Sequence, residues 1–478
     1  MTSASKPSAV SRLLASHMMG SERLRVLSAS GQLGFGIVQE SLERGLQRKP
    51  HFIGCDMGSI DPGPYYLGSG QMAAPKDMVL RDLELVLLAA RQLDIPLIIG
   101  SAGTAGAKPH LEATLILLQE VAQKHALSFS VATVSSDVPR QILVQAAQAG
   151  RIKSLDLEGV SLPLPVPNQT QIESAAHIVA QCGTHTFIDA LMHKPDVLIA
   201  GRSCDTAIFA ALPQMLGYDP ALSLHMAKII ECTSLCCTPG GRDAMLAELG
   251  PADFILESMN PNSHATPASV AAHALYEQAD PWVVEEPEGT LHLRHAKYTA
   301  LDAHRTQVSG AQFVPRPVPT LKVEGATHSG SRAVLLAGVA DPRMIETMPK
   351  ALQTVLERVQ KLVPGNWSMV SHVYGQGAVR TLPQAHQSQH EIGLIIEFLA
   401  PTFNLAKTAA SVFKQNLLHF GFPGRYSTGG NLAFAFTPSE IQANDCYQFM
   451  LYHQWVDVSP SDVFGIEMQS WNFEEAMA

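Results

Sequence analysis

From Leu24 onward the chain alternates short apolar runs with amphipathic stretches, a rhythm that few architectures accept. LRVLSAS reads as a strand, and the pattern beginning at Ile37, IVQESLERGLQR, reads as a helix. HFIGCDMG, PLIIGSAG and SFSVATVS repeat the strand signal; DMVLRDLELVLLAARQL, HLEATLILLQEVAQKHA and PRQILVQAAQAG repeat the helical one. An extended excursion with three prolines, IKSLDLEGVSLPLPVP, interrupts the series. It then resumes with THTFIDALMH, the strand PDVLIAG and the helix DTAIFAALPQML. Such alternation predicts an α/β fold: a mostly parallel sheet with flanking helices on both faces. Sheets of this kind bind ligands beyond the carboxyl ends of their strands, where neighbouring loops diverge.

Beyond Phe313 the style changes. VPRPVPTLKVEG is a proline-rich link that enters a strand, SRAVLLAGVA is a second strand, and MIETMPKALQTVLERVQKLV is a helix. WSMVSHVYG, HEIGLIIEFLA and the helix LAKTAASVFKQNLLHF repeat that order. A strand–strand–helix unit occurring twice predicts a C-terminal α+β domain with an internal repeat. The expected division is an α/β domain over 1–318 and an α+β domain over 319–478, with the tail from Asn431 adding a strand to the second. A chain of 478 residues is long enough for both cores.

Charge narrows the partners. With 33 basic and 43 acidic residues the formal charge is -10, and no basic stripe carries interleaved aromatics, so nucleic acid is excluded. Only 16% of residues are charged, which favours burial between subunits and hence a homo-oligomer. No apolar run reaches membrane-span length, and no membrane association is expected. Seven cysteines, odd in number and without framework spacing, fit the cytoplasm.

Five glycine-bearing turns could carry chemistry. Gly31 to Gly36 follows the first strand; its G-x-x-G-x-G order is not the dinucleotide fingerprint, which argues against a nicotinamide oxidoreductase. Gly54 to Gly70 holds Asp56, Ser59 and Asp61 in a long loop with two tyrosines. Gly100 to Gly106 offers Ser101 and Thr104 as a nest for a carboxylate or phosphate. Gly201 to Thr206 adds Arg202 as a carboxylate clamp, Ser203 beside it, and Asp205 as an acid–base group. Glu231 to Asp243 contributes Glu231, Gly240 and Gly241, together with Cys232, Cys236 and Cys237. The cysteines lack zinc spacing, the nineteen histidines form no H-E-x-x-H pattern, and no metal is expected. For each turn the alternative is purely structural: a tight turn, an N-cap or an Arg–Asp helix cap. A late loop, Gly424 to Asn431, either closes over the first domain's site or joins a helix to a strand.

Taken together, IGCDMGSID, RQLDIPLIIGSAGTAG, VLIAGRSCDTAIFAALPQMLGYD and IIECTSLCCTPGG resemble the acyclic terpene utilisation family. So does the stretch from YTALDAHRTQVSGA through VPRPVPTLKVEG. The resemblance runs from about Leu24 to about Val363; the part after residue 365 reads as an extension beyond it. It implies a metabolic role and lyase or hydratase work on branched organic acids. It also implies an early Gly-to-acid segment, here Gly54 to Asp61, and a Gly-Arg-x-x-Asp turn, here Gly201, Arg202 and Asp205.

The resulting expectation is an enzyme of the lyase, hydratase or isomerase class acting on a small anionic metabolite, a carboxylate or acyl thioester. Arg202, Ser59, Ser101, Thr104, Ser203, Gly240 and Gly241 bind it, and Asp56, Asp205 and Glu231 transfer protons. No cofactor is specified. The competing expectation is a non-catalytic binding or scaffold subunit that needs a second protein subunit.

Overall fold

The computed structural model describes residues 7–17, 22–155, 164–276, 278–379, 390–426 and 429–473. The chain divides into two units, Met1–Thr327 with Phe449–Ala478, and His328–Gln448. The second unit thus begins later than 319, and the closing segment belongs to the first unit.

The first unit is built on one ten-stranded sheet. At its centre lie β1 (Leu24–Ser30), β2 (Phe52–Asp56), β3 (Leu97–Gly100) and β4 (Ser128–Ser135), with Val197–Ala200 inserted between β3 and β4. These five strands are parallel to one another. The expected parallel sheet is therefore the centre of a larger mixed one. Met245–Leu249 pairs antiparallel with β1 and leads to three further antiparallel strands. At the other edge Gly465–Asn472 pairs antiparallel with β4, so the tail adds its strand to the first unit.

The central strands read as unbroken apolar runs because both their faces are covered. Val26, Phe52, Ile98 and Leu198 point into one core with the helices Thr184–Met192, Asp205–Met215 and Pro220–Ile230. Their neighbours Leu27, Ile53, Ile99 and Val197 point into the other, with Gln39–Gln47, Lys76–Leu93 and Lys108–Lys124. Burial of both faces, at about 25 cal/mol per Å² of apolar surface, is what fixes this sheet. A three-stranded sheet, Val283–Glu286, Gly289–His292 and Gln312–Pro315, belongs to the same unit. Part of the proline-rich excursion, residues 156–163, lies outside the described residues.

In the second unit Ser331–Val339 and Ser368–Tyr374 both pair antiparallel with Ile392–Ala400. The last strand alternates buried and partly exposed positions, and its buried face (Leu394, Ile396, Phe398) packs on the helices Pro342–Leu362 and Phe403–Leu418. The expected repeat is incomplete. LKVEG and SRAVLLAGVA form one strand, Leu321–Val339, rather than a pair. Gly330 passes through it at φ +130° without making a turn. The loop from Gly424 to Asn431 follows the second helix; Asn431 donates to the carbonyls of Leu417 and Phe420, while Ser427 and Thr428 lie outside the described residues. Among the described residues no helix is long and apolar enough to cross a membrane.

Candidate active site

Parallel strands end at one rim, and four of the five glycine-bearing turns meet there around a cavity of about 340 Å³. Its walls include Gly31, Asp56, Ser59, Asp61, Asp205, Glu231 and Gly241. Asp56 closes β2, Asp205 opens the helix Asp205–Met215, and Glu231 follows the helix Pro220–Ile230. The three acids expected to transfer protons, together with Ser59 and Gly241, therefore share one space. A larger cavity of about 520 Å³ in the same unit, lined among others by Thr184, Glu288 and Phe313, takes none of the expected residues. Chemistry rather than size selects the smaller one.

Close backbone approach shapes these walls. A Cβ on Gly31 would stand 2.8 Å from the carbonyl oxygen of Glu231. At Gly58, φ is +153° and a Cβ would meet the Thr104 main chain at 2.7 Å. Only glycine fits either position. The first turn is held by Asp82 from the helix Lys76–Leu93. Its carboxylate, fully buried, accepts the N–H groups of Gly34, Gly36 and Ile37, each at 3.0 Å. The turn that could have offered free N–H groups to an anion thus gives three of them to Asp82.

The Gly100–Gly106 turn lies behind the cavity. Ser101 N–H donates to Ser203 Oγ at 3.0 Å, Gly103 N–H to Met57 Sδ at 3.1 Å, and Gly106 N–H to the Ala102 carbonyl at 3.1 Å. Thr104 Oγ1 accepts the Ala73 N–H at 2.9 Å. Ser101, Thr104 and Ser203 are buried, and with Gly240 they stand outside the cavity lining.

Arg202 also sits beneath the floor. Its guanidinium donates to Glu324 at 2.8 and 3.4 Å, to Ser101 Oγ at 3.1 Å and to the Ser203 carbonyl at 3.2 Å, and stands 3.9 Å from Asp205. Glu324 is completely buried and also receives Gln181 at 2.8 Å and Lys322 at 3.4 Å. Burial alone would lift the Glu324 carboxyl, but Arg202 and Lys322 outweigh it and hold it below the usual range. Arg202 is accordingly spent on a protein carboxylate rather than facing a ligand. Nothing local in KVEG announces that Glu324 is its partner.

The acids facing the cavity are in the opposite state. Burial pushes the Asp56 carboxyl well above its ordinary value, and Asp205 pushes it further, against the Gly58 N–H that donates to it at 3.3 Å. Asp205, 36% exposed to the cavity, is also raised by the protein around it, with Arg202 and Lys228 pulling the other way. Glu231 is held by Lys228 at 2.9 Å. Behind Asp205, Thr206 Oγ1 donates to Glu286 at 3.0 Å, and burial beside Glu288 brings the Glu286 carboxyl up to about 8. Glu286 and Glu288 carry no motif in the sequence that marks them; only the fold brings Glu286 to Thr206 behind Asp205. A site of mutually unfavourable carboxyls holds its protons more tightly than free carboxyls do, which suits it to general acid–base work.

All seven cysteines are free thiols. Cys232 lines the cavity, and burial with the adjacent Glu231 raises its thiol to about 12, against any role as a nucleophile. The acidic residues of the cavity do not come close enough to one another to form a candidate metal cluster among the described residues.

A family model described as acyclic terpene utilisation family protein AtuA matches residues 73–242 and 253–450, most of the chain. Asp205 and Glu231 fall inside the match and Asp56 precedes it. The match reaches 450, so the part after residue 365 belongs to the family pattern and is not an extension beyond it. Neither the curated proteins nor the solved structures contain a match to the chain.

Proposed function

Because the chain belongs to the acyclic terpene utilisation family, we propose that its cavity moves protons at carbon on a small branched carboxylate or acyl thioester. The reaction class is lyase, hydratase or isomerase. The family's name, acyclic terpene utilisation, supports a role in the breakdown of terpenes.

The observation that carries this reading is the joint placement of Asp56 and Asp205 on one cavity wall with raised proton affinities. Asp56, the more buried, keeps its proton and serves as general acid. Asp205, more exposed and beside the Arg202 guanidinium, serves as general base. Glu231, tied to Lys228, holds the third wall. Arg202 does not touch substrate in this scheme; it positions Asp205 from below.

The test is deuterium uptake from D₂O into branched acids and their thioesters, followed by mass spectrometry. The intact protein is expected to label carbon next to the carboxyl or thioester. Asp205→Asn should slow labelling by roughly a hundredfold or more. Labelling that is absent with the intact protein, or undiminished in Asp205→Asn, removes the proposal. Labelling that appears only after a second polypeptide is added would make this chain the binding subunit instead.

A further inference from the structure

We infer that Arg242 selects the substrate, holding an anionic carboxylate end at the cavity mouth while the reacting carbon faces Asp56 and Asp205. This rests on the acid–base reading above and adds to it the orientation of the substrate.

A cavity that accepts an anion needs positive charge not already spent on the protein. Arg202 fails that requirement, because Glu324, Ser101 and Ser203 take its donors. The first glycine turn fails it, because Asp82 accepts three of its N–H groups. The Gly100–Gly106 turn bonds within its own layer. Among the described residues that line the cavity, one cation remains, and it is Arg242.

Arg242 is held as an anchor must be. Its neighbours are fixed: Gly241 N–H donates to the Ser234 carbonyl at 3.2 Å, Asp243 N–H donates to Ser234 Oγ at 2.8 Å, and Asp243 accepts from Asn260 at 2.9 Å. Its side chain is exposed and, among the described residues, makes no hydrogen bond or ion pair. Its guanidinium lies 5.9 Å from the centroid of the Phe35 ring, across from its own loop. The other charged residues lining the cavity are acids, Asp56, Asp61, Asp205 and Glu231. An anionic end is repelled by that wall and drawn to Arg242, which leaves one productive orientation. Leu235, which lines the cavity and is 53% exposed, gives apolar surface for a branched chain, and Phe35, 41% exposed, stands beside Arg242. The ligand class that fits is an amphiphile with one oxyanion end.

The experiment is calorimetric titration of the full chain with a branched medium-chain monocarboxylate and, separately, with the matching primary alcohol. The intact protein is expected to prefer the acid. Arg242→Gln should weaken acid binding roughly ten- to hundredfold and leave the alcohol unchanged. Arg242→Lys should recover part of the preference, since it keeps the charge without the planar fork. No preference in the intact protein, or a preference that survives in Arg242→Gln, overturns the inference. Deuterium labelling separates it from the reading it rests on. Arg242→Gln should raise KM and, because acid then also binds in unproductive orientations, slow labelling at saturation without abolishing it. Acid preference without any labelling by the intact protein leaves Arg242 in place and removes the proton-transfer reading.

Discussion

Two layers of charged residues at the rim of the first unit's sheet show opposite solutions to the same problem. In the lower layer Arg202, Lys322 and Gln181 converge on Glu324, which stays ionised although no water reaches it. In the upper layer Asp56 and Asp205 line one cavity without an equal share of cations, and both retain protons more strongly than free carboxyls do. Burial is common to both, so burial alone does not decide the protonation state. The count of opposing charges within reach does. The lower layer is built for stability and the upper one holds its groups in a strained electrostatic state, as reactive sites do.

That contrast breaks first at Glu324. Glu324→Gln leaves the buried Arg202 guanidinium uncompensated and should cost about 3–5 kcal/mol in urea denaturation. A loss no larger than that of a surface substitution would show that the lower layer does not carry stability. Asp82→Ala comes next. Three N–H groups in and just after the Gly31–Gly36 turn, two of them buried, lose their acceptor, for about 3 kcal/mol, and labelling should fall with it because that turn forms a cavity wall. Retained stability there would mean that water replaces the carboxylate.

The smallest effect should have the opposite sign. The raised Asp56 carboxyl binds its proton more tightly folded than unfolded, so its contribution to stability is complete at low pH. That contribution drains away as pH rises from the ordinary carboxylate range through the folded value. Asp56→Asn escapes this loss. It should match the parent in acid, exceed it by on the order of 1 kcal/mol at neutral pH, and label poorly. Equal pH profiles for the two proteins would place Asp56 in the lower, neutralised class.

Much of this architecture could be read locally. The strands FIGCD, LIIG and VLIA appear where unbroken apolar runs predict them, and Asp56 and Asp205 stand at or just past strand ends as their glycine turns suggest. The errors share a cause. LKVEG and SRAVLLAGVA look like two strands because a glycine and small polar residues separate them, yet the intervening residues keep extended backbone. Proximity in sequence points the tail to the second domain, whereas Gly465–Asn472 covers the open edge of β4. An unpaired sheet edge must be satisfied by something, and the supplier need not be close in the chain.

What the sequence determined by itself is the alternation of strand and helix, the glycine turns, and the acids placed at them, because each follows from spacing within a few residues. Tertiary structure alone decided which charges remain available. Arg202 reads as a clamp until Glu324, 122 residues away, arrives to occupy it, and Arg242 stands out only once the cavity is assembled, as the one cation lining it among the described residues. Coulomb and hydrogen-bond energies depend on distances in space, and local pattern carries no record of them.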